Sequence, residues 1–349
     1  MPPPVTLSTV LPDDRGALVQ PLRAWVRPFD ASRERVVAGW LRIAFFSSIL
    51  FNHTVQVRFE FLDGRMWVVW AQLLRDFGMV GFFLIAGVSL KGKMLANPRV
   101  KMPSNLVKLT VAAVGLAAFD ILFTLAKGGE PQSLKHHFYA AIYETNLWFF
   151  VAYAFAGPLL LSLDRRGAFA TWVCCLLFIM FPGDSRLLSP YILQTISLAF
   201  VCMAIGMRLY GKQANPVAML TVAAAVFVVR TWLDDYGQPV FPAVDVVLRI
   251  VYGVACFLVL KWTANRFCRY ARPPGWSSYL FVPYLVQLPL VTVVTVAVTM
   301  LYAGSIHVNM PPIFFSFRAS LGFMLAVFAI SMAASFAIAW FLRRFKIRV

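Results

Sequence analysis

The first long apolar run of the sequence contains the ionisable residues Arg42 and His53 well inside its ends. They are 11 residues apart. At 100° per residue this spacing puts both side chains on one face of a helix, about 16 Å apart along its axis. A charge in a bilayer helix costs about 2.5–3.5 kcal/mol on insertion scales, so it usually has a partner or a function.

The chemistry that this pair predicts is proton abstraction. A neutral imidazole accepts a proton from a hydroxyl near neutral pH, and His53 would do so with the permanent cation of Arg42 on the same helix face. The alternative is structural: Arg42 extends its guanidinium to the membrane surface and His53 packs through hydrogen bonds.

Composition predicts a membrane protein. Of the 349 residues, 60% are hydrophobic and only 13% are charged, whereas soluble domains are about 45–50% apolar and about 25% charged. The net charge of +17 does not indicate nucleic acid, because the basic residues lie in short connections between apolar runs. The five cysteines form no CxxC or Cys/His spacing, so neither a zinc site nor a disulfide framework is predicted.

The apolar runs predict an all-α integral membrane protein, a bundle of about ten transmembrane helices. Residues 1–36 and 344–349 are predicted tails of a transmembrane domain over 37–343. The fourth and fifth runs flank a turn-like break at 164–167 and form either a hairpin or a re-entrant pair. The runs lie at 37–59, 76–95, 105–126, 147–163, 168–183, 189–210, 216–233, 243–262, 277–303 and 313–342.

Charge distribution predicts the orientation of this bundle. Most of the 32 lysine and arginine residues fall in the connections on one side, together with both termini. Because basic residues concentrate in cytoplasmic loops, both termini are predicted to be cytoplasmic. Arg42 then lies about two turns below the cytoplasmic surface, and His53 lies about 24 Å in, nearer the outer face.

Polar residues at the two sides predict two binding regions. On the cytoplasmic side, five basic residues can hold the phosphates of an anionic cofactor, or they satisfy the positive-inside rule alone. These are Lys91, Lys93, Arg99, Lys101 and Lys108.

In the outer half, carboxylates, arginines and aromatic residues suit a sugar, although aromatic residues there also form interfacial belts. An Asp245–Arg249 pair at i,i+4 is explained by helix structure alone. The adjacent His136 and His137 cannot both bind one metal from a helix, and no metal site is predicted. The candidates for the outer site are Asp120, Trp148, Arg230, Asp234, Arg249 and Arg318.

Several segments resemble the membrane-bound acyltransferase-3 family. The segment "LRIAFFSSILFNH" at 41–53 has the Arg-x10-His spacing of that family's first helix, and "GMVGFFLIAGVSLKGKM" at 78–94 resembles its "GVxxFFxxSG" segment, with Ala86 replacing serine. The run "YLVQLP" at 284–289 is similar to "YLxHxP", with Gln287 in place of histidine. Trp148 resembles the tryptophan that opens a mid-chain helix, and the usual arginines after helix 2 appear partly as Lys101 and Lys108.

The resemblance implies an enzyme of the bacterial inner membrane that moves an acetyl group from acetyl-CoA to a hydroxyl of a cell-envelope glycan, such as an exopolysaccharide or lipopolysaccharide, or of a lipid-linked sugar. His53 would be the general base or an acyl relay, and Arg42 would position the donor. Succinyl transfer is the main variant. Two other classes stay open: a transporter or flippase for an anionic or lipid-linked substrate, and a structural subunit of an export complex.

Overall fold

The computed structural model describes residues 31–59, 65–96, 106–126, 147–180, 190–235, 242–268, 270–303 and 317–346, and the short pieces 130, 133–134 and 136–137 between them. Among these residues the regular secondary structure is entirely helical, with no strand. The apolar runs explain this architecture, because a helix satisfies its own backbone hydrogen bonds where no water can.

Ten long α-helices are described, and we number them α1 to α10 in chain order. A 3-10 helix, Gly275–Tyr279, precedes α9. The bounds are α1 Ala31–Phe59, α2 Arg65–Ala96, α3 Leu106–Ala126, α4 Leu147–Arg166, α5 Ala168–Met180, α6 Pro190–Arg208, α7 Pro216–Asp235, α8 Pro242–Phe267, α9 Phe281–Ala303 and α10 Phe317–Arg344.

Five of these helices are long and apolar enough to cross a membrane. The crossing segments are Ser32–Thr54, Leu73–Ala96, Pro216–Leu233, Ala243–Phe267 and Gly322–Arg344. The described parts of the other five contain apolar segments of 10–17 residues. The protein is therefore all-helical with several potential membrane-spanning helices, while ten spans stay a prediction.

Helix α2 lies at the centre of the bundle and packs closely on α1, α6 and α8. A Cβ added at Gly78 would meet Ile49 of α1, and one added at Gly87 would meet the backbone of Met203 in α6. Gly206 of α6 lies at the same crossing, where an added Cβ would meet the carbonyl oxygen of Leu84 in α2. Small residues at such crossings let helix backbones approach closely.

The glycine-and-phenylalanine segment of α2 thus has a packing role. Phe83 is fully buried, and Phe82 contacts the ring of Tyr284 in α9 with 5.0 Å between ring centroids. Phe45 of α1 stacks on Phe257 of α8 at 6.1 Å. These contacts join α1, α2, α8 and α9 around one apolar core.

The predicted break at 164–167 is a tight helix–helix turn. Gly167 alone separates α4 from α5 and has a φ of 124°, a conformation that favours glycine. Both helices pack on α6: Asp164 pairs with Arg208 at 3.7 Å, and Phe178 contacts Phe200 at 4.9 Å between ring centroids. The pair is a helical hairpin.

Most predicted runs coincide with helices, but several ends differ; for example, α8 ends at Phe267 rather than 262. Helix α1 begins at Ala31 rather than 37, and α2 begins at Arg65 rather than 76. The ninth run, predicted from residue 277, is divided into the 3-10 helix and α9, because Pro283 cannot donate a backbone hydrogen bond and the chain turns before it.

Candidate functional site

The two ends of the bundle differ in their polar contacts. At the Glu34 end, α1 begins and α2, α6, α8 and α10 end. At the Asp76 end, Asp76 of α2 meets the last turns of α7 and the first turns of α8. Arg42 lies toward the Glu34 end of α1, and His53 lies further along α1, past the depth at which α1 meets Leu74 of α2.

The helix face that carries Arg42 and His53 is turned inward, and its residues meet α2, α4, α10 and the segment before α9. Gly39, Arg42, Phe46 and His53 fall within a sector of about 60° on α1. A Cβ added at Gly39 would lie 3.3 Å from Oγ of Ser277, just before α9. The ring of Phe46 contacts Phe336 of α10 at 6.3 Å between centroids. The predicted shared face is therefore an interior face of the bundle.

Arg42 directs its guanidinium toward the Glu34 end. Its Nη2 donates to Oγ of Ser89 in α2 at 3.4 Å, and it interacts electrostatically with Tyr153 of α4. The side chain of Arg42 is half-buried. The guanidinium thus joins α1, α2 and α4 and is directed away from His53 along the helix axis.

His53 is half-buried on the same face. Its neighbour Thr54 donates to the carbonyl oxygen of Leu50 at 2.9 Å, a common bond for a threonine within a helix. His53 and Arg42 remain three turns apart, so a ligand that contacts both must be extended.

A buried charge cluster lies at the Asp76 end. The carboxylate of Asp76 has no solvent exposure and accepts a hydrogen bond from Nη1 of Arg230 at 2.6 Å. Nη2 of Arg230 donates to Asp245 at 3.3 Å, and Asp245 pairs with Arg249 at 2.7 Å. Nη1 of Arg249 and Nε of Arg75 each lie 3.7 Å from Asp76. We name Asp76, Arg230, Asp245 and Arg249 the Asp76 cluster.

This cluster unites two predicted outer-site residues, Arg230 and Arg249, with one that the sequence analysis missed, Asp76. Asp120 is placed differently: its Oδ2 lies 2.6 Å from Nδ1 of His137, which is buried. The side chains of Trp148, Asp234 and Arg318 lie outside the described residues, although their helices are described.

The predicted donor region is partly described. Nζ of Lys91 lies 3.6 Å from Asp164, which also pairs with Arg208, and Lys93 is exposed. Arg99 and Lys101 lie outside the described residues, as does the side chain of Lys108. Arg208 is therefore a further cation in this region, brought there by α6.

A buried ion pair lies at the Glu34 end. Nζ of the fully buried Lys261 lies 2.8 Å from Glu34 and donates to the carbonyl oxygen of Leu209 at 2.9 Å. The backbone N–H of Gly211 donates to Glu34 at 3.1 Å. Burial, and then the Glu34 carboxylate, raise the pKa of Tyr210. These contacts join α1 and α8 to the turn that follows α6, and we interpret them as structural.

Several buried polar side chains have no hydrogen-bond partner among the described residues. Both amide atoms of Gln287 in α9 and of Asn52 in α1 are in this state, with no exposure of either side chain. The hydroxyls of Ser331 and Ser335 in α10 are also fully buried and unpartnered within the described part. Such groups cost about 1–3 kcal/mol each unless water or a ligand satisfies them.

An open groove of about 360 Å³ lies on a different side of α1. Its lining is almost wholly apolar and comes from α1 and α8, with Trp40, Leu41 and Ala44 facing Leu260 and Ala264. The groove therefore lacks the polar groups that an active site needs.

Fold and site define an all-helical protein with potential membrane-spanning helices and polar side chains inside the bundle. Comparisons of the chain with protein-family models, curated proteins and solved structures find no match. The resemblance to acyltransferase-3 proteins thus rests on the motif residues in α1, α2, α4 and α9.

Proposed function

We propose that this protein is a membrane O-acyltransferase that moves an acetyl group from cytoplasmic acetyl-CoA to a hydroxyl of an extracytoplasmic or lipid-linked glycan. One observation carries the proposal: α1 presents Arg42 and His53 on a single inward face, about 16 Å apart along the axis. An extended donor arm fits this separation, with Arg42 nearer the entry side and His53 at the reacting end.

In the reaction, the imidazole of His53 removes the proton from the acceptor hydroxyl. The hydroxyl oxygen attacks the thioester carbonyl, a C–O bond forms, and the C–S bond breaks. The CoA thiolate takes the proton from the imidazolium, so the products are an acetyl ester and CoA with neutral His53. The alternative route forms an acetyl-imidazole at His53 first, and radiolabel retained on protein that is denatured rapidly near neutral pH would identify it.

The donor phosphates are proposed to bind the basic residues at the Glu34 end. Lys91, Lys93 and Arg208 are the described members, and Asp164 pairs with Lys91 and Arg208. Succinyl-CoA differs from acetyl-CoA only in its acyl group, so the same route serves succinyl transfer.

The acceptor is proposed to approach from the Asp76 end. There Asp245 and Arg249 are about one-third exposed, whereas Asp76 and Arg230 are buried behind them. Exposed carboxylate and guanidinium groups hydrogen-bond sugar hydroxyls well. Arg230 thus supports the acceptor site from within, and Arg249 contacts the glycan.

The decisive experiment measures acetyl-CoA binding and thioester hydrolysis by the purified protein in detergent. His53→Ala should lower hydrolysis about 100-fold or more, because the general base is lost. Arg42→Ala should weaken acetyl-CoA binding about tenfold or more, because a charge-assisted contact is lost.

Two matched controls address general damage to the protein. His136→Ala removes an exposed histidine, and Arg266→Ala removes an exposed arginine whose guanidinium lies 5.5 Å from the ring of Trp262. Both should retain wild-type binding and hydrolysis. Full activity in His53→Ala, or failure of the wild type to bind acetyl-CoA and succinyl-CoA, would contradict the proposal.

A transporter or flippase for an anionic substrate is the second candidate, and the Asp76 cluster favours it. Ionisable residues within membrane-spanning segments mark substrate pathways as well as active sites. Protein in sealed vesicles that moves a charged lipid-linked sugar between leaflets, without hydrolysing acetyl-CoA, would support this candidate.

A further inference from the structure

The side chain of Gln287 lies in the interior of the bundle. It has no solvent exposure, and neither its amide oxygen nor its amide nitrogen has a hydrogen-bond partner among the described residues. Replacing such an amide by an apolar side chain of similar shape is often neutral or stabilising, so packing alone does not account for it.

Ser331 and Ser335 of α10 show the same state. A serine or threonine inside a helix commonly donates to the carbonyl four residues before it. Thr292 and Thr299 in α9 do so, at 3.0 and 2.7 Å. The hydroxyls of Ser331 and Ser335 make no such bond and are fully buried. Because α9 and α10 pack against each other, we name Gln287, Ser331 and Ser335 together the Gln287 cluster.

Helix contacts give the depth of this cluster. In α10, Phe336 contacts Phe46 of α1 and Phe328 contacts Phe51, so Ser331 lies at the depth of about residue 49. In α9, Tyr284 contacts Phe82 of α2, which in turn contacts Phe45 of α1, and Gln287 lies about one turn further along α9, so Gln287 has a similar depth.

The cluster therefore lies between Arg42 and His53 along the bundle axis. It is about 6 Å on the Glu34 side of His53 and about 10 Å beyond Arg42. On the inward face of α1 that carries both residues, Gly39 meets Ser277 just before α9 and Phe46 contacts Phe336 of α10, so α9 and α10, the helices that supply the cluster, border this face. A donor arm reaching from Arg42 to His53 passes this depth.

The chemistry of the cluster matches the middle of a coenzyme A arm. Pantetheine carries two peptide-like amides, each with one donor and one acceptor, and no charge. A glutamine amide pairs with such an amide through both of its atoms, and serine hydroxyls both donate and accept. Phosphates would instead select cations, of which the cluster has none.

We propose that Gln287, with Ser331 and Ser335, binds the pantetheine amides of the acyl-CoA donor and so positions its thioester one turn away, at His53. This inference rests on the proposed acyltransferase function. Gln287 is a donor-binding residue here and takes no part in proton transfer.

The test is a binding comparison with two probes, acetyl-CoA and adenosine 3′,5′-bisphosphate, which lacks the pantetheine arm. Gln287→Met keeps the shape of the side chain and removes its amide. It should weaken acetyl-CoA binding about tenfold, the effect of one or two lost hydrogen bonds. Binding of adenosine 3′,5′-bisphosphate should not change. The thermal midpoint of the ligand-free protein should be equal to or above that of the wild type.

Asn52→Leu is the matched control, because Asn52 is an equally buried, unpartnered amide on another face of α1. Asn52 lies one turn after Ser48, which donates to the carbonyl oxygen of Leu74 in α2 at 2.8 Å. The face of α1 that carries Asn52 is therefore turned to α2. Asn52→Leu should leave acetyl-CoA binding unchanged.

Different results would contradict the pantetheine site and the acyltransferase function. Unchanged acetyl-CoA binding by Gln287→Met, or equal weakening by Asn52→Leu, overturns the pantetheine site and leaves the acyltransferase proposal standing. A wild-type protein that binds neither acetyl-CoA nor succinyl-CoA overturns both. If Gln287→Met fails to fold, Ser331→Ala with Ser335→Ala tests the same two probes, with the same expected selectivity.

Discussion

Asp76 shows how a single residue connects distant parts of the chain. Its carboxylate is fully buried within α2, and its closest partner, Arg230, is 154 residues away in sequence. Arg249 and Arg75 lie within 3.7 Å of its other oxygen. A buried carboxylate in this position is stable only while its arginine partners neutralise it.

We therefore expect Asp76→Asn to destabilise the protein by about 3–5 kcal/mol, because Arg230 would be left buried without its main counter-ion. The measurement is the midpoint of thermal or denaturant unfolding in detergent. Asp245→Asn is the comparison: this carboxylate is about one-third exposed and should cost about 1 kcal/mol. Equal losses in the two variants would contradict a special role for Asp76.

Sequence reasoning found Arg42 and His53 because a shared helix face depends only on local spacing. It found Arg230 and Arg249 as unusual charges in apolar runs, but not their partner. Asp76 marked the predicted start of the second helix, and nothing in the local sequence indicated a counter-ion for it. The Asp76–Arg230 pair is a long-range contact, and no local periodicity relates its two residues.

At the scale of elements, the α2–α6 crossing depends on paired glycines. Gly87 faces the backbone of Met203, and Gly206 faces the backbone of Leu84. Backbone atoms cannot rotate away as a flexible side chain can, so an added methyl group must separate the helices.

Gly87→Ala should thus destabilise the protein by about 1–3 kcal/mol through overpacking. Unfolding midpoints in detergent would measure the effect. Gly115→Ala provides the control, because a Cβ at that position meets nothing within 4 Å. Alanine is the better helix former, so Gly115→Ala should be neutral or stabilising by up to about 1 kcal/mol. A stable Gly87→Ala variant would show that α2 and α6 can separate without cost.

The helices themselves were largely predictable. Long apolar runs must form helices if they enter a bilayer, and breaks such as Asp164–Gly167 mark turns. Helix ends were less predictable where tertiary contacts extend them. Arg33 donates to the side-chain and backbone oxygens of Asn265, and Glu34 pairs with Lys261, so α1 continues back to Ala31.

At the scale of the whole molecule, orientation is the open prediction. With the termini in the cytoplasm, the Glu34 end would face the proposed donor, acetyl-CoA, and the Asp76 end would face the proposed glycan acceptor. Single cysteines in a variant without the five native cysteines test this arrangement, at the exposed residues Lys212 and Glu130.

A membrane-impermeant maleimide should label Glu130→Cys in intact bacterial cells, because that residue is predicted to be outside. Lys212→Cys should be labelled only after the membrane is disrupted. The reverse pattern would invert the topology and place the basic residues of the proposed donor site on the wrong side for acetyl-CoA.

The hairpin of α4 and α5 has a consequence for how the protein is made. A single residue, Gly167, joins the two helices, and α5 has only 13 residues, about 20 Å of helix against a hydrocarbon core of about 30 Å. Such a short segment anchors poorly by itself during synthesis. We therefore expect α4 and α5 to enter the membrane together as one hairpin, which then packs on α6.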